Sequence, residues 1–237
     1  GIPTSESHAL LAGISGAALA AGGAQGIDLG QWAKVLLGLL FSALFGFLFG
    51  FLSSKTVYLT CRRKNRGRME KLFSFLQNRS AEAMAFMHGA QDGQKFIGVF
   101  VIVSMMIQGR AAPASVNVFD HLLVMVVCST VMGIGTCAGG YKIIKTVGMN
   151  MVKIKRYQGF CADLSAFACL LAATLTGLPV STTHTKTTAI IGAGCAKRMR
   201  SVNWSIAKEM CIAWVVTFPF CIAIGFALTK LLLFWLQ

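Results

Sequence analysis

Charge is scarce in this sequence. Asp, Glu, Lys and Arg make up 13% of its 237 residues, where a soluble domain carries about a quarter. Stretches such as 35–52 and 122–132 contain none at all. A run of about 18 apolar residues is enough for a helix to cross a hydrocarbon core roughly 30 Å thick, so lipid is the solvent for most of this surface. Cys-x-x-Cys pairs are also missing. The eight cysteines are scattered, mostly inside apolar runs, and read as small polarizable packing residues rather than metal ligands or a disulfide framework. There is no initiator Met and no signal-peptide pattern. The chain opens on Gly1-Ile2-Pro3, and its true N-terminus is expected upstream.

What charge there is is basic, with a formal net charge of +14. Its placement speaks against a nucleic-acid partner. The Lys and Arg residues cluster in 55–79, 142–156 and 197–200, between apolar runs. That is the positive-inside pattern, not a basic groove with interleaved aromatics. The periodicity predicts an all-α polytopic membrane protein with about seven spanning segments, at 6–23, 32–54, 81–108, 118–139, 158–176, 179–196 and 207–236. Sixteen Lys and Arg residues lie in 55–80, 141–157 and 197–206, against Arg110 alone in 24–31, 109–117 and 177–178. This asymmetry predicts cytoplasmic basic loops and a last span that ends outside. The longest connection, 55–80, also holds Met69, Leu72, Phe73, Phe75 and Leu76, which suits an amphipathic helix lying in the interface.

The chain repeats itself. Residues 1–17 align with 177–193 without gaps, with identity at Gly1/Gly177, Pro3/Pro179, Ser5/Ser181, His8/His184, Ile14/Ile190, Gly16/Gly192 and Ala17/Ala193. By the charge count the first copy runs outward and the second inward. Inverted-topology repeats with broken or re-entrant helices, holding substrate near the midplane, are a common architecture of secondary transporters. The expected division is 1–54 as the remainder of a first repeat, 55–80 as a basic cytoplasmic loop or interfacial helix, and 81–237 as the second repeat.

Three elements carry polar chemistry. In 177–188, Pro179 suits a helix start and Ser181 or Thr182 an N-cap. A helix that starts inside the membrane presents free N–H groups and a positive dipole end, which bind anions such as phosphate. The hydroxyls of this segment add donors without fixed charge. They also fit a plain capped helix bonded to its neighbours. The matching element is Gly1–His8, where Ser5 and Ser7 supply hydroxyls. There Glu6 stands at the position of Thr182, either as part of an ion-coupling site or facing water. The third element, His88-Gly89-Ala90-Gln91-Asp92-Gly93-Gln94-Lys95, sits inside an apolar segment. Gly89 and Gly93 would permit an unwound turn, so that Asp92, the Gln91 amide oxygen and freed carbonyls would form a hard-oxygen cation site. The other reading is a structural Asp92–Lys95 pair. His8, His88 and His184 lack ligand spacing, and Asp163 opens a span, where it would be interfacial or join a cation site. Paired carboxylates and nucleophile–base pairs are absent from the pattern, so an enzyme is not expected.

Together these residues resemble the PiT family of inorganic phosphate transporters. The resemblance rests on the duplicated P-x-S-x-x-H at Pro3–His8 and Pro179–His184 and on H-G-A-Q-D-G-Q-K at 88–95, which is similar to the family's G-A-N-D-G-Q-K. The segment from Gly140 to Gly148, with Gln158-Gly159-Phe160 after it, adds a third match. It implies import of inorganic phosphate by Na+ or H+ symport at the plasma membrane, with no other cofactor, membrane lipid as surroundings and a homodimer by analogy. Carried over by position, Ser5, Ser7, Ser181, Thr182 and Thr183 would contact phosphate. Asp92, with Gln91 and Glu6, would serve the coupling cation, and no metal is implied beyond Na+ at Asp92. Gln91 stands where the family has Asn, and Glu6 where a small hydroxyl residue is frequent. The first repeat's own G-A-N-D helix would lie upstream of Gly1. The rival readings are a carrier of another oxyanion such as sulfate and an intramembrane phosphate-handling enzyme.

Overall fold

The computed structural model describes residues 3–109 and 121–236. Gly1 of the repeat, Arg110 and the first residues of the expected span 118–139 lie outside that range. The described residues form seven α-helices: α1 Glu6–Gly22, α2 Leu29–Cys61, α3 Arg66–Ile107, α4 Leu122–Lys145, α5 Arg156–Thr176, α6 Thr182–Cys195 and α7 Trp204–Leu236. A π-helical turn, Thr146–Met151, extends α4. Val152 and Val202 form a single antiparallel bridge that ties the start of α5 to the turn before α7.

Five helical segments are long and apolar enough to cross a membrane: Glu6–Gly26, Leu29–Cys61, Leu122–Met151, Arg156–Thr176 and Trp204–Trp235. Many large apolar side chains on them are exposed, Leu40, Phe45, Leu123, Val215 and Phe220 among them, as a lipid-facing surface requires. This is an integral membrane protein. The other two helices depart from simple spans, for different reasons. The 14 residues of α6 reach only about 21 Å, short of a hydrocarbon core of roughly 30 Å. The second is α3, which has 42 residues and would be about 63 Å long. It runs without a break from the basic stretch into the expected span 81–108. Of the segment 55–80, only Arg62–Asn65 is not helical, because α2 continues to Cys61 and Asn65 caps α3 by accepting from the Arg68 N–H at 3.3 Å.

The expected unwound turn at Gly89–Gly93 is absent, and α3 is regular α-helix there. A glycine in a helix costs up to about 1 kcal/mol, less than freeing carbonyls in lipid would cost. No helix is broken at this point, so no backbone carbonyl is released toward Asp92.

The helices pair crosswise. α1 packs on α7 and α6 on α2. In the second pair Gly38 lies against Pro179, Gly46 against Thr185 and Gly50 against Ala189, so α2 and α6 run in the same direction. In the first, Trp214 Nε1 donates to Pro3 O at 3.2 Å, Phe218 stacks on His8, and Gly225 lies against Gly13, so α1 and α7 are also parallel. A short turn at 23–28 reverses α1 into α2, and Trp32 Nε1 donates back to Ser15 Oγ at 3.2 Å. α1 therefore runs opposite to α6.

The two pairs are copies of each other. A Cβ on Gly16 would strike the backbone of Ile222 and Phe226, and one on Gly192 the backbone of Phe47 and Phe51. α1 and α6 are offset by 176 positions, the separation of Ser5 and Ser181, and α2 and α7, each 33 residues long, by one less. Glycine at these crossings lets helix backbones touch, which is how helices associate in lipid without a hydrophobic driving force.

Candidate functional site

The N-termini of α1 and α6 meet inside the bundle. Each follows an extended Pro-x-Ser segment, and each serine caps its helix. Ser5 Oγ accepts from the His8 N–H at 3.3 Å and Ser181 Oγ from the His184 N–H at 3.2 Å. The two caps also bond to each other, Oγ to Oγ at 2.9 Å, and both are essentially inaccessible. Just behind them the His8 and His184 rings pack edge to face at 4.5 Å. Among the described residues, both nitrogens of His8 and Nε2 of His184 have no hydrogen-bond partner. Their rings are held by Phe218 and Trp214 instead. Among the described residues no group of metal-ligating side chains includes His8 or His184, and ring packing holds both.

α3 delivers the charges. Asp92 is buried, and Thr182 Oγ1 donates to its Oδ2 at 2.8 Å. That places a carboxylate at the first turn of α6, where the helix dipole favours negative charge. The Lys95 ammonium donates to Asp92 Oδ1 at 2.9 Å, to Ser7 Oγ at 2.7 Å and to the Val180 carbonyl at 3.2 Å. Lys95 thus joins both Pro-x-Ser elements to α3. His88 Nε2 lies 3.5 Å from Asp92 Oδ2. Glu6, His88 and Asp92 each offer a ligand atom, all within 4.8 Å of one another. A cavity of about 210 Å³ opens beside Ser7 and Lys95, walled by apolar residues of α1, α2 and α3 and by Pro179 and Val180 before α6.

The structure therefore brings Ser5, Ser7, Ser181, Thr182, Asp92 and Glu6 to one place. Thr183 stands at its edge, with its Oγ1 3.5 Å from Thr4 O. Gln91 does not join them. One step of helix turns it toward α5, where its amide nitrogen donates to Thr174 Oγ1 and, at 3.4 Å, to Leu170 O. The Asp92–Lys95 pair that the sequence offered as an alternative is present, but the bond from Lys95 to Ser7 and the approach of His88 to Asp92 were not picked out by sequence reasoning. The signal was available in the i, i+3 and i, i+4 spacings to Asp92, which put all three on one face of a helix. Asp163 is buried and pairs with the half-buried Lys186, which joins α5 to α6. Among the described residues it is not part of the group formed by Glu6, His88 and Asp92.

An all-helical membrane protein in which two antiparallel helix N-termini converge on buried polar groups has the architecture of a secondary transporter. The chain belongs to the phosphate transporter family, whose family model matches residues 1–225. Among curated relatives, a probable low-affinity inorganic phosphate transporter of Bacillus subtilis (strain 168) is 36% identical over 225 residues, 95% of this chain and 66% of the relative. One of the same description from Mycobacterium tuberculosis (strain ATCC 25618 / H37Rv) is 37% identical over 226 residues, 95% of this chain and 54% of the relative. The chain thus spans just under two thirds of the first of these relatives and about half of the second. A solved structure, described as the sodium-dependent phosphate transporter, shares the fold, with a TM-score of 0.81 at 21% identity over 97% of this chain and 74% of that one.

Proposed function

We propose that this chain is part of a secondary active transporter that imports inorganic phosphate by cation symport. The observation that carries the reading is the 2.9 Å contact between the Ser5 and Ser181 caps. Two helix N-termini, with their unpaired N–H groups and positive dipole ends, meet there at one point inside the bundle. Phosphate would bind at that point, accepting from the hydroxyls of Ser5, Ser7, Ser181, Thr182 and Thr183. Lys95 would supply a fixed positive charge beside Ser7. Membership of the phosphate transporter family and the names of the relatives favour phosphate over sulfate as the anion.

The acids supply the coupling. A dianion entering beside Asp92 and Glu6 is repelled unless positive charge accompanies it. A cation held by Asp92 and Glu6 would offset that repulsion, so anion and cation bind together and a gradient of one moves the other. Gln91 would join the cation by swinging its amide from Thr174. Na+ and H+ both satisfy this logic, and the likeness to a transporter described as sodium-dependent favours Na+. Residues 1–54 would be the remainder of one inverted repeat and 81–237 the other, rocking about the shared site. The basic segments would face the cytoplasm from a plasma-membrane protein, and a homodimer would be its assembly.

The test is radiolabelled phosphate uptake into proteoliposomes holding the full-length protein, under an imposed sodium gradient and then a proton gradient. Gradient-driven uptake that sulfate does not inhibit supports the reading. Gradient-driven movement of sulfate with no phosphate uptake would discard phosphate as the cargo.

A further inference from the structure

A second cavity lies far from the paired caps in chemistry and in place. It encloses about 510 Å³ where the end of α2, the start of α3 and the start of α5 come together. Its rim carries Arg62, Lys64, Arg66, Lys155 and Arg156, against a single carboxylate, Glu70. None of these cations has a carboxylate partner among the ion pairs of the described residues. The floor is of the opposite character. Phe73 is buried there and packs on Tyr157 and Phe160, at ring-centroid distances of 6.1 and 6.0 Å.

Basic loops alone explain cations on one side of a membrane. They do not explain why five cations from two chain segments about 90 positions apart, 62–66 and 155–156, ring one concavity with an aromatic floor. We propose that this cavity binds the phosphoryl headgroup of an anionic phospholipid. Guanidinium forks match phosphate oxygens in two-point contacts. Basic pockets between transmembrane helices at the membrane surface suit anionic headgroups. The apolar floor accepts the glycerol and upper acyl carbons, which a free phosphate ion has no use for. The site stands independently of what the transporter carries.

Occupancy has a mechanical consequence. α2 and α5 both grip α6, α2 through Gly46 and Gly50 and α5 through Gln158 Nε2, which donates to Ala193 O at 2.9 Å. A headgroup bridging α2, α3 and α5 ties together the far ends of the elements that position the Ser181 cap.

The test uses the full-length protein in phosphatidylcholine nanodiscs with and without phosphatidylglycerol, with retained lipid read by native mass spectrometry. Wild type should retain phosphatidylglycerol selectively. An Arg62→Gln/Lys64→Gln/Arg66→Gln variant should lose about a hundredfold of that retention, at the surface value of each removed cation. A control, Lys142→Gln/Lys145→Gln/Arg200→Gln, removes as much charge away from the cavity and should keep it. Arg62→Lys/Arg66→Lys preserves the charge but not the two-point contacts and should retain lipid at a level between wild type and the neutralised variant, which separates lost binding from lost folding. Equal loss in both neutralised variants, or no selectivity in wild type, overturns the proposal. So does thermal stabilisation in detergent by inorganic phosphate, lost in the cavity variant, with no response to phosphatidylglycerol.

Discussion

Ser5 and Ser181 are 176 positions apart and share a 2.9 Å hydrogen bond between their side-chain oxygens, while each caps its own helix. The two caps are therefore one unit. Replacing either serine by alanine should cost about 1 kcal/mol of stability through the lost cap. The double substitution should cost less than the sum, because each single change already removes the shared bond. Phosphate uptake should fall at least tenfold in each single variant while membrane insertion is retained. A double-mutant cycle of thermal unfolding, run beside the uptake assay, checks both statements.

Asp92 and Lys95 separate structure from function. Asp92→Asn leaves the Lys95 ammonium without its counter-charge, and breaking such a pair costs about 3–5 kcal/mol. Asp92→Asn/Lys95→Met removes both charges and should recover most of that stability. Neither variant should transport. A double variant that is stable and still takes up phosphate under a cation gradient would show the pair to be scaffolding only.

Gly16 and Gly192 should behave alike, because the same crossing recurs at both. Substitution to valine puts a side chain into the facing backbone of α7 or α2, and the expected result is little folded protein at either position. Gly89→Ala and Gly93→Ala meet nothing within 4 Å and should be neutral or slightly stabilising, since alanine is the better helix former. Fluorescence size-exclusion profiles of the four variants give the comparison.

The ion pair between Asp163 and Lys186 locks α5 to α6. Lys186→Met should destabilise by about 3 kcal/mol by stranding a buried carboxylate, and adding Asp163→Leu should restore the melting temperature. The paired change should leave phosphate affinity unaltered, because neither residue reaches the Ser181 cap.

The antiparallel repeats fix a topology that labelling can read. Lys64→Cys, in the turn between α2 and α3, should react with a membrane-impermeant thiol reagent from the cytoplasm. Ala24→Cys, in the turn between α1 and α2, should react only from the opposite side. Native cysteines are replaced first, with Cys61 the main concern because it is next to the first turn. Labelling of both positions from one side would remove the inverted arrangement.

Much of this site was legible because it repeats. Pro3 and Pro179, Ser5 and Ser181, and His8 and His184 align without a gap, and a proline followed by a serine states a helix start in local terms. Asp92 stood out as a charge in an apolar segment. The orientation of Gln91 was not legible. It depends on Thr174 of α5, 83 positions away, and no local rule says which neighbour an amide meets. The continuity of α3 was missed for a related reason. Its first half is basic and its second apolar, so a change of solvent along one helix resembled a change of structure.

Composition and periodicity determined that the chain is helical and lives in lipid, the repeat determined that two like helix starts exist, and the Lys/Arg asymmetry set them in opposite directions. Those properties follow from local preference and from the thickness of a bilayer, which act on each segment separately. Only the tertiary structure decided that α1 seats on α7 and α6 on α2, that the two caps touch, and that Lys95 closes the gap between Ser7 and Asp92. Such contacts depend on the shapes of surfaces far apart in the chain. They form where glycine lets backbones approach and where a buried charge has one partner within reach.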